Sequence, residues 1–220
     1  MLSEPATTRR DNAIERRIRQ AGFPERKTLE EFDWAFNAKA IDRVQFEELA
    51  TGDFIRRCDN LVLVGDSGVG KSHLIQAIGL KACVAGHRVI YRTSADLLTE
   101  LTASLADRTL PQELRHLSSP ELLVIDEFGL DRIERTECRE AANLLYKVIE
   151  SRGRERSTAV VTNIDFESWG EYLGDAPLAM AFLDRLVDGA IIIKIVKGRS
   201  YRAHRARRRD AEPPGGAKEA

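Results

Sequence analysis

The sequence has few cysteines, few histidines and no long apolar run. Its 220 residues include three cysteines and four histidines, whose scattered positions exclude a disulfide framework and give no metal-ligand spacing. A small, odd number of cysteines is typical of proteins in a reducing compartment. No apolar run approaches the roughly 20 residues needed to cross a bilayer, and the first residues lack the apolar centre of a signal peptide. We therefore expect a cytoplasmic protein with no membrane partner.

An excess of charge of one sign is also lacking. The chain has 34 basic and 35 acidic residues, for a formal net charge of −1. The bases are concentrated near the ends, because residues 9–27 contain seven bases and three acids, and residues 194–209 contain eight bases and no acid. Basic segments on a nearly neutral body indicate a surface for a polyanion. Arginines that only solvate the chain ends would give the same pattern.

The hydrophobic pattern after residue 57 alternates between strands and helices. Continuous apolar segments predict five strands, which lie at 60–65, 88–92, 121–126, 157–163 and 190–196. Helical periodicity predicts helices from Gly70, near 94–105 and over 135–152. Buried strands joined by helices are typical of a parallel sheet covered on both faces. The sequence therefore predicts a three-layer α/β fold with a five-stranded parallel sheet.

The two ends of the chain differ from this central pattern. Residues 1–8 are predicted to be unstructured, and the sequence up to residue 57 is predicted to form short helices, one of them starting at a Thr28 cap. The residues after 198 are basic and then polar, so we expect a disordered tail. The predicted regions are a helical amino-terminal region, a central core and a tail: 1–57, 58–198 and 199–220.

A phosphate-binding loop lies between the first predicted strand and its helix. The pattern G-x-x-x-x-G-K-[ST] is matched at every position by Gly65, Asp66, Ser67, Gly68, Val69, Gly70, Lys71 and Ser72. Glycines let backbone N–H groups converge on phosphate oxygens, and the helix amino terminus adds partial positive charge. We expect Lys71 to reach the β- and γ-phosphates and Ser72 to bind Mg²⁺. We also include His73, which follows the motif, among the predicted nucleotide-binding residues. The predicted cofactors are ATP and Mg²⁺.

The residues of the adenine pocket are left open. Phe32 and Trp34 either line this pocket or pack on the core.

Two adjacent acids follow a predicted buried strand in the stretch LLVIDEFGL, residues 122–130. A carboxylate beside a hydrophobic core is costly unless it is paired. Because parallel strands end at the same edge of a sheet, we expect Asp126 to face the Mg²⁺ at Ser72. Glu127 is then expected to reach the water that attacks the γ-phosphate. Asn163 follows the next strand and is a candidate to hold that water, although asparagine is also typical of a turn.

Several segments carry a more specific pattern. They are GDSGVGKSH, LLVIDEFGL, STAVVTN and FLDRLVDGAIIIKIVKGRSYR, preceded by AGFPERKTLEEFDWAF and LATGDFIRRCDNLVLVG. Together they resemble the AAA+ ATPases of the IstB and DnaC group, and within it the IstB-like helper ATPases of insertion-sequence transposition. The resemblance covers about residues 14–205. It implies a P-loop AAA+ core without a carboxyl-terminal lid domain.

The resemblance also implies roles for individual residues. Asn163 matches the sensor-1 position. Arg185, in the segment LDRL, matches an arginine finger, which would enter the site of a neighbouring subunit and stabilise charge on the transferred phosphoryl group. The catalytic set is then Lys71, Glu127, Asn163 and Arg185, and the active form is a homo-oligomer. A surface salt bridge is the simpler role for Arg185.

Proteins of the IstB type assemble on duplex DNA in an ATP-dependent way and stimulate their cognate transposase, so the resemblance implies both partners. Residues 1–57 are then expected to contact DNA or other subunits. Candidate contacts to DNA phosphates come from the two basic segments, and they are Arg16, Arg17, Arg19, Lys197, Arg199 and Arg202. Such contacts are independent of base sequence and sensitive to salt.

Three other functions share parts of this pattern. A DnaC-type replicative helicase loader has the same core, but it needs a helicase-binding domain ahead of that core, and residues 1–57 resemble the IstB region instead. A small-molecule kinase with a phosphate loop would hold two substrates under an arginine-rich lid. A nucleotide-dependent scaffold with negligible turnover would not need both Lys71 and Glu127. The predicted function is therefore an ATP-hydrolysing, DNA-binding helper of transposition.

Overall fold

The computed structural model describes residues 4–130 and 140–211, with side chains described within 8–130 and 140–207. The strands are β1 Leu61–Gly65, β2 Val89–Thr93, β3 Leu122–Phe128, β4 Ser157–Thr162 and β5 Ile191–Ile195. The described helices are α1 Glu4–Ala21, α2 Arg43–Leu49, α3 Asp53–Arg56, α4 Lys71–Ala85, α5 Ser94–Ala106, α6 Leu110–Ser118, α7 Ala141–Arg152, α8 Trp169–Leu173, α9 Ala176–Val187 and α10 Tyr201–Ala211. A short 3-10 turn, Phe166–Ser168, precedes α8.

The five strands form one parallel sheet in the order β2-β3-β4-β1-β5. In this order β4 lies between β1 and β3, with Leu63 beside Val161 and Val124 beside Ala159. The predicted α/β fold and five-stranded parallel sheet are confirmed. The order also decides where the site forms, because the segments that follow β1, β3 and β4 leave the same edge of the sheet side by side.

Side chains of the strands alternate between two apolar cores, one on each face of the sheet. On β1, Leu61 and Leu63 belong to the core under α4 and the amino-terminal helices. Val62 and Val64 belong to the core formed with α5, α7 and α9. All four are at most 5% exposed, and burying such a side chain stabilises the fold by about 1.5–3 kcal/mol. The sheet is therefore a rigid base for its carboxyl edge.

The amino-terminal region packs on the same core as the sheet. The helix α1 begins at Glu4, so the prediction that residues 1–8 are unstructured is corrected from residue 4 onward. Ala21, Phe46 and Phe54 are at most 1% exposed and join the core that contains Leu61. The same core contains residues from both sides of residue 57. The division of the chain into the regions 1–57 and 58–198 stays a prediction.

Thr28 makes the bonds of a helix cap without starting a helix. The Thr28 hydroxyl accepts from the Glu31 N–H at 3.3 Å, and the Glu31 carboxylate accepts from the Thr28 N–H at 3.1 Å. This is the reciprocal pattern of a capping box. Residues 29–40 nevertheless form turns and bends, so the predicted helix starting at Thr28 is wrong. Leu29 and Ile41, at the two ends of this segment, are buried in the core.

The carboxyl-terminal end is ordered further than predicted. A disordered tail was expected from residue 199, but residues 201–211 form the helix α10, whose first turn packs on the phosphate loop. The remainder of the predicted tail, 212–220, lies outside the described residues, as does the start of the predicted helix 135–152. Within 4–130 and 140–211, no helix is long and apolar enough to cross a membrane.

Candidate functional site

A cavity of about 750 Å³ opens at the carboxyl edge of the sheet. It lies between the loop after β1, the ends of β3 and β4, the turns of residues 24–37, and the start of α10. The predicted site residues that line it are Ser67, Gly68, Val69, Gly70, Lys71, Ser72, His73, Asp126, Glu127, Asn163 and Arg202. The fold thus brings most of the predicted nucleotide-binding and catalytic residues to one place.

The loop at 65–72 has the backbone shape that its glycines predict. Gly70 caps the amino terminus of α4 with φ +109°, a region that L side chains rarely adopt. A Cβ on Gly70 would also lie 2.7 Å from the Phe32 ring. Because the loop ends at the amino terminus of α4, free backbone N–H groups and the positive end of the helix dipole face the cavity. This arrangement suits a phosphate group.

The ammonium group of Lys71 is held inside this loop. Its Nζ donates to the carbonyl oxygens of Gly65 at 2.6 Å and Asp66 at 2.9 Å. Gly65 and Asp66 therefore contribute to the site through their backbone carbonyl groups, although neither residue lines the cavity. Burial lowers the pKa of Lys71, while the charges of Asp126 and Asp66 act in the opposite direction. An anion in the cavity would favour the charged form of Lys71 in the same way.

The carboxylate of Asp126 is 1% exposed at the end of β3. The Tyr91 hydroxyl donates to its Oδ2 at 2.5 Å, and the Glu127 N–H donates to its Oδ1 at 2.7 Å. Burial and the negative charge of Asp126 raise the pKa of Tyr91 far above its ordinary value, so Tyr91 remains a neutral donor. These two bonds and the nearby Lys71 charge compensate the buried carboxylate.

A change of register occurs in β3 at Glu127. The pairing of β3 with β4 is shifted between Ile125 and Phe128, and Glu127 has φ +58°. A non-glycine residue in this region carries strain of about 1–3 kcal/mol, and such strain clusters at functional sites. As a result Asp126 stays buried while Glu127, its neighbour, is exposed in the cavity.

Asn163 follows β4 and lines the same cavity, between the end of β3 and the phosphate loop after β1. Its Oδ1 is buried and has no hydrogen-bond partner among the described residues. The preceding Thr162 fixes the strand end, because its hydroxyl donates to the Phe128 carbonyl at 2.9 Å and accepts from the Ile164 N–H at 3.1 Å. A buried amide oxygen without a partner is costly, and a water molecule or ligand in the cavity would satisfy it.

The sequence matches a known family over nearly its whole length. A family model described as IstB-like ATP binding protein matches residues 1–209. The chain belongs to this family. A relative from Pseudomonas aeruginosa, an ATP-binding protein of insertion sequence IS21, is 38% identical over 94% of this chain and 76% of the relative. A relative from Bacillus thuringiensis, of insertion sequence IS232, is 36% identical over 88% of this chain and 75% of the relative.

Solved structures with a similar fold are replication proteins. The DnaC helicase loader superposes with a TM-score of 0.58 at 18% identity, covering 85% of this chain and 98% of that one. AMPPCP-bound DnaA from Aquifex aeolicus gives a TM-score of 0.63 at 18% identity, over 90% of this chain and 58% of DnaA. At these identities the likeness concerns the fold alone, and it agrees with an α/β fold of the P-loop AAA+ type.

Arg185 of this IstB-like protein lies away from the cavity. It is exposed in the last turn of α9, and its carbonyl accepts from Asn60 Nδ2 at 3.5 Å. Asn60 precedes β1, so Arg185 sits at the amino end of a strand whose carboxyl end carries the phosphate loop. The predicted catalytic residues Lys71, Glu127 and Asn163 come together in one chain, and Arg185 does not join them.

The predicted DNA contacts lie in four different settings. Arg16 and Arg19 are exposed on α1, and Arg17 is partly buried. The guanidinium of Arg199 donates to the Phe36 carbonyl at 2.6 Å and stacks on the Phe36 ring. Lys197 is exposed after β5. The sixth residue, Arg202, lines the cavity.

Sequence reasoning missed three parts of the site. The sequence pattern places Tyr91 only in an apolar strand. Its hydroxyl lies near the end of a strand, as the predicted Asp126 carboxylate does, and this shared position could have indicated a contact between them. Asn37 and Arg205 lie far apart in the sequence and come to the cavity only through tertiary packing.

The two aromatic candidates differ in their positions. Phe32 lines the cavity and also packs on the core. Trp34 packs on the core and on the Phe32 ring.

We expect Tyr91→Phe to lower the free energy of unfolding by about 1–3 kcal/mol, because it leaves one oxygen of a buried carboxylate without its donor. Urea unfolding measures this loss. Tyr146→Phe is the matched control: its hydroxyl donates to Glu150 at 3.2 Å on the surface of α7, so its removal should cost less than about 0.5 kcal/mol. Equal losses in the two variants would contradict the role given to Tyr91.

Proposed function

We propose that this IstB-like protein binds ATP with Mg²⁺ in the cavity, hydrolyses it, and assembles on duplex DNA as a homo-oligomer that assists a transposase. The observation that carries the proposal is the meeting of Lys71, Asp126, Glu127 and Asn163 around one space. These four side chains come from a helix amino terminus and from two neighbouring strand ends. Hydrolysis of a phosphoanhydride by water needs such a combination of cation, metal ligand, base and polar anchor.

The chain's own groups account for each requirement of the reaction. Lys71 would exchange its two carbonyl acceptors for phosphate oxygens, which are stronger acceptors because they are charged. The Asn163 amide, which lines the cavity, would hold the attacking water by a hydrogen bond. The exposed Glu127 carboxylate would take the proton of that water as its oxygen bonds to the γ-phosphorus and ADP leaves.

Ser72 and Asp126 fit the requirements of a Mg²⁺ site. Both line the cavity, and they offer oxygen atoms, the ligand type that Mg²⁺ prefers. Because Asp126 already accepts from Tyr91 and Glu127, we infer that it holds the ion through water. The ion would supply neutralising charge to the phosphates.

Assembly and DNA binding are supported by where the remaining arginines lie. Arg185 is exposed and remote from its own cavity, as an arginine that enters a neighbouring subunit must be. Arg16 and Arg19 are exposed on α1 and suit contacts to DNA phosphates. The relatives belong to insertion sequences, which supports a transposase as the protein partner.

We expect Glu127→Gln to bind Mg-ATP normally and to hydrolyse it about 10²- to 10⁴-fold more slowly, because the amide cannot take the proton. Phosphate release and nucleotide titration measure the two properties separately. Lys71→Ala is the comparison variant, since it should lose binding as well. Turnover in Glu127→Gln equal to that of the unmodified protein would contradict the assignment of the base.

We expect Mg-ATP and duplex DNA together to give a large assembly with raised turnover. Arg185→Ala should still bind ATP but lose about 10³-fold or more of that turnover, because an arginine finger has effects of this size. Light scattering and phosphate release in the same samples measure both. Arg115→Ala, an exposed arginine on α6, is the control and should behave like the unmodified protein.

The same experiment separates the proposal from its alternatives. Assembly on single-stranded DNA together with a replicative helicase, and not on duplex DNA, would favour a helicase loader. A monomer whose turnover ignores DNA would contradict the transposition helper altogether. Arg16 and Arg19, changed together to alanine, should weaken duplex binding and reduce its dependence on salt.

A further inference from the structure

Gln76 is a buried amide that the proposed reaction does not use. It lies on α4, one helical turn after Ser72, and is 6% exposed. Residues separated by one turn lie on the same face of a helix, and both Ser72 and Gln76 line the cavity, as Asp126 does. An uncharged polar side chain is therefore buried beside the two residues that suit a Mg²⁺ site.

The neighbouring Tyr91 determines how the Gln76 amide is turned. The Tyr91 hydroxyl donates its one proton to Asp126 Oδ2 at 2.5 Å, so the Tyr91 oxygen can only accept from another group. Gln76 forms a hydrogen bond with Tyr91, which opposes the rise in the Tyr91 pKa that burial and the Asp126 charge cause. The NH₂ group of Gln76 is therefore the part that bonds Tyr91, and its amide oxygen is left for another contact.

The amide oxygen of Gln76 is a buried acceptor at the cavity. It has no hydrogen-bond partner among the residues that the structure describes. A buried acceptor without a donor is costly, and a ligand that brings a donor into the cavity would remove this cost. Phosphate oxygens are themselves acceptors, so the phosphates of a nucleotide cannot satisfy the Gln76 oxygen directly.

The surroundings of Asp126 indicate which donor fits. Both of its oxygens already accept a hydrogen bond, one from Tyr91 and one from the Glu127 N–H, which is why we infer that Asp126 holds the ion through water. Mg²⁺ keeps several water molecules when it binds to a protein. A metal-bound water uses its oxygen for the ion and has two protons to donate. Asp126 can accept one of them, and the other needs a second acceptor nearby.

We propose that Gln76 is a positioning residue for the ion: its amide oxygen accepts a hydrogen bond from a water molecule bound to Mg²⁺, while its NH₂ group donates to Tyr91. This inference rests on the proposed binding of ATP with Mg²⁺. Gln76 and Asp126 then hold the same hydrated ion from α4 and β3, and Tyr91 connects the two side chains. Hydrogen bonds of this outer kind orient the ligands of a metal and raise its affinity.

The test is a titration of the protein with a fluorescent ATP analogue at a series of Mg²⁺ concentrations and in EDTA. Gln76→Met keeps the length of the side chain and removes its acceptor. We expect it to raise the Mg²⁺ concentration for half-maximal enhancement of binding about tenfold. In EDTA its affinity for the analogue should stay within about twofold of that of the unmodified protein. Gln112→Met is the matched control, because Gln112 is exposed on α6 and does not line the cavity.

Two further measurements separate this role from a structural one. Because the Gln76 oxygen is a buried acceptor without a donor, its removal should leave the melting temperature in EDTA within about 3 °C of that of the unmodified protein. Gln76→Glu keeps an acceptor oxygen and adds a charge that attracts a cation. Its half-maximal Mg²⁺ concentration should therefore not exceed that of the unmodified protein.

The outcomes are distinguishable. A raised Mg²⁺ requirement in Gln76→Met, absent from Gln76→Glu and Gln112→Met, supports the proposal. An unchanged Mg²⁺ requirement in Gln76→Met overturns it and leaves the proposed function intact. An equal loss of affinity with Mg²⁺ and in EDTA also overturns it, because Gln76 would then contact the nucleotide itself. If the unmodified protein binds the analogue no better than Lys71→Ala, the proposed function is overturned as well.

Discussion

The buried carboxylate of Asp126 sets the conditions that the rest of the site has to meet. Its location at the end of a central strand brings a negative charge to the edge of an apolar core. The structure compensates this charge with a neutral Tyr91 hydroxyl, the Glu127 N–H and the Lys71 charge. Each of these groups is itself part of the site. Stability and function therefore depend on the same few contacts.

The strand order explains why the remaining groups fall into place. Because β4 separates β1 from β3, the end of β4 delivers Asn163 between the phosphate loop and the two acids. The register shift in β3 then separates the two acids, since Asp126 stays buried and Glu127 is exposed in the cavity. In a regular strand, neighbouring side chains also point to opposite faces. The left-handed backbone of Glu127 is a feature of the register shift and is not needed for that alternation.

Much of this architecture could be predicted from the sequence. The five strands lie within two residues of their predicted bounds, because continuous apolar runs between turns are a strong local signal. The phosphate loop and Asp126 were predictable for the same reason, since their residue types follow a strand at fixed spacing. Local patterns could not predict α10 on the loop, because the Asn37 to Arg199 contacts join residues 162 positions apart. The positive φ of Glu127 depends likewise on its pairing with β4.

The amino-terminal turns and the start of α10 meet at the cavity. The turns of residues 24–37 form one wall, and the start of α10 forms another. Both ends also carry the basic segments that we connect with DNA. We propose that a nucleotide bound between them orders both segments, which would make assembly on DNA depend on ATP.

The central claim is that the phosphate loop, the amino-terminal turns and α10 form a single nucleotide site within one chain. Hydrogen exchange of the monomer, with and without Mg-ATP, tests it most directly. We expect slower exchange on ATP addition in three segments together, 24–37, 66–73 and 199–205. Slower exchange confined to 66–73, with the two end segments unchanged, would contradict it.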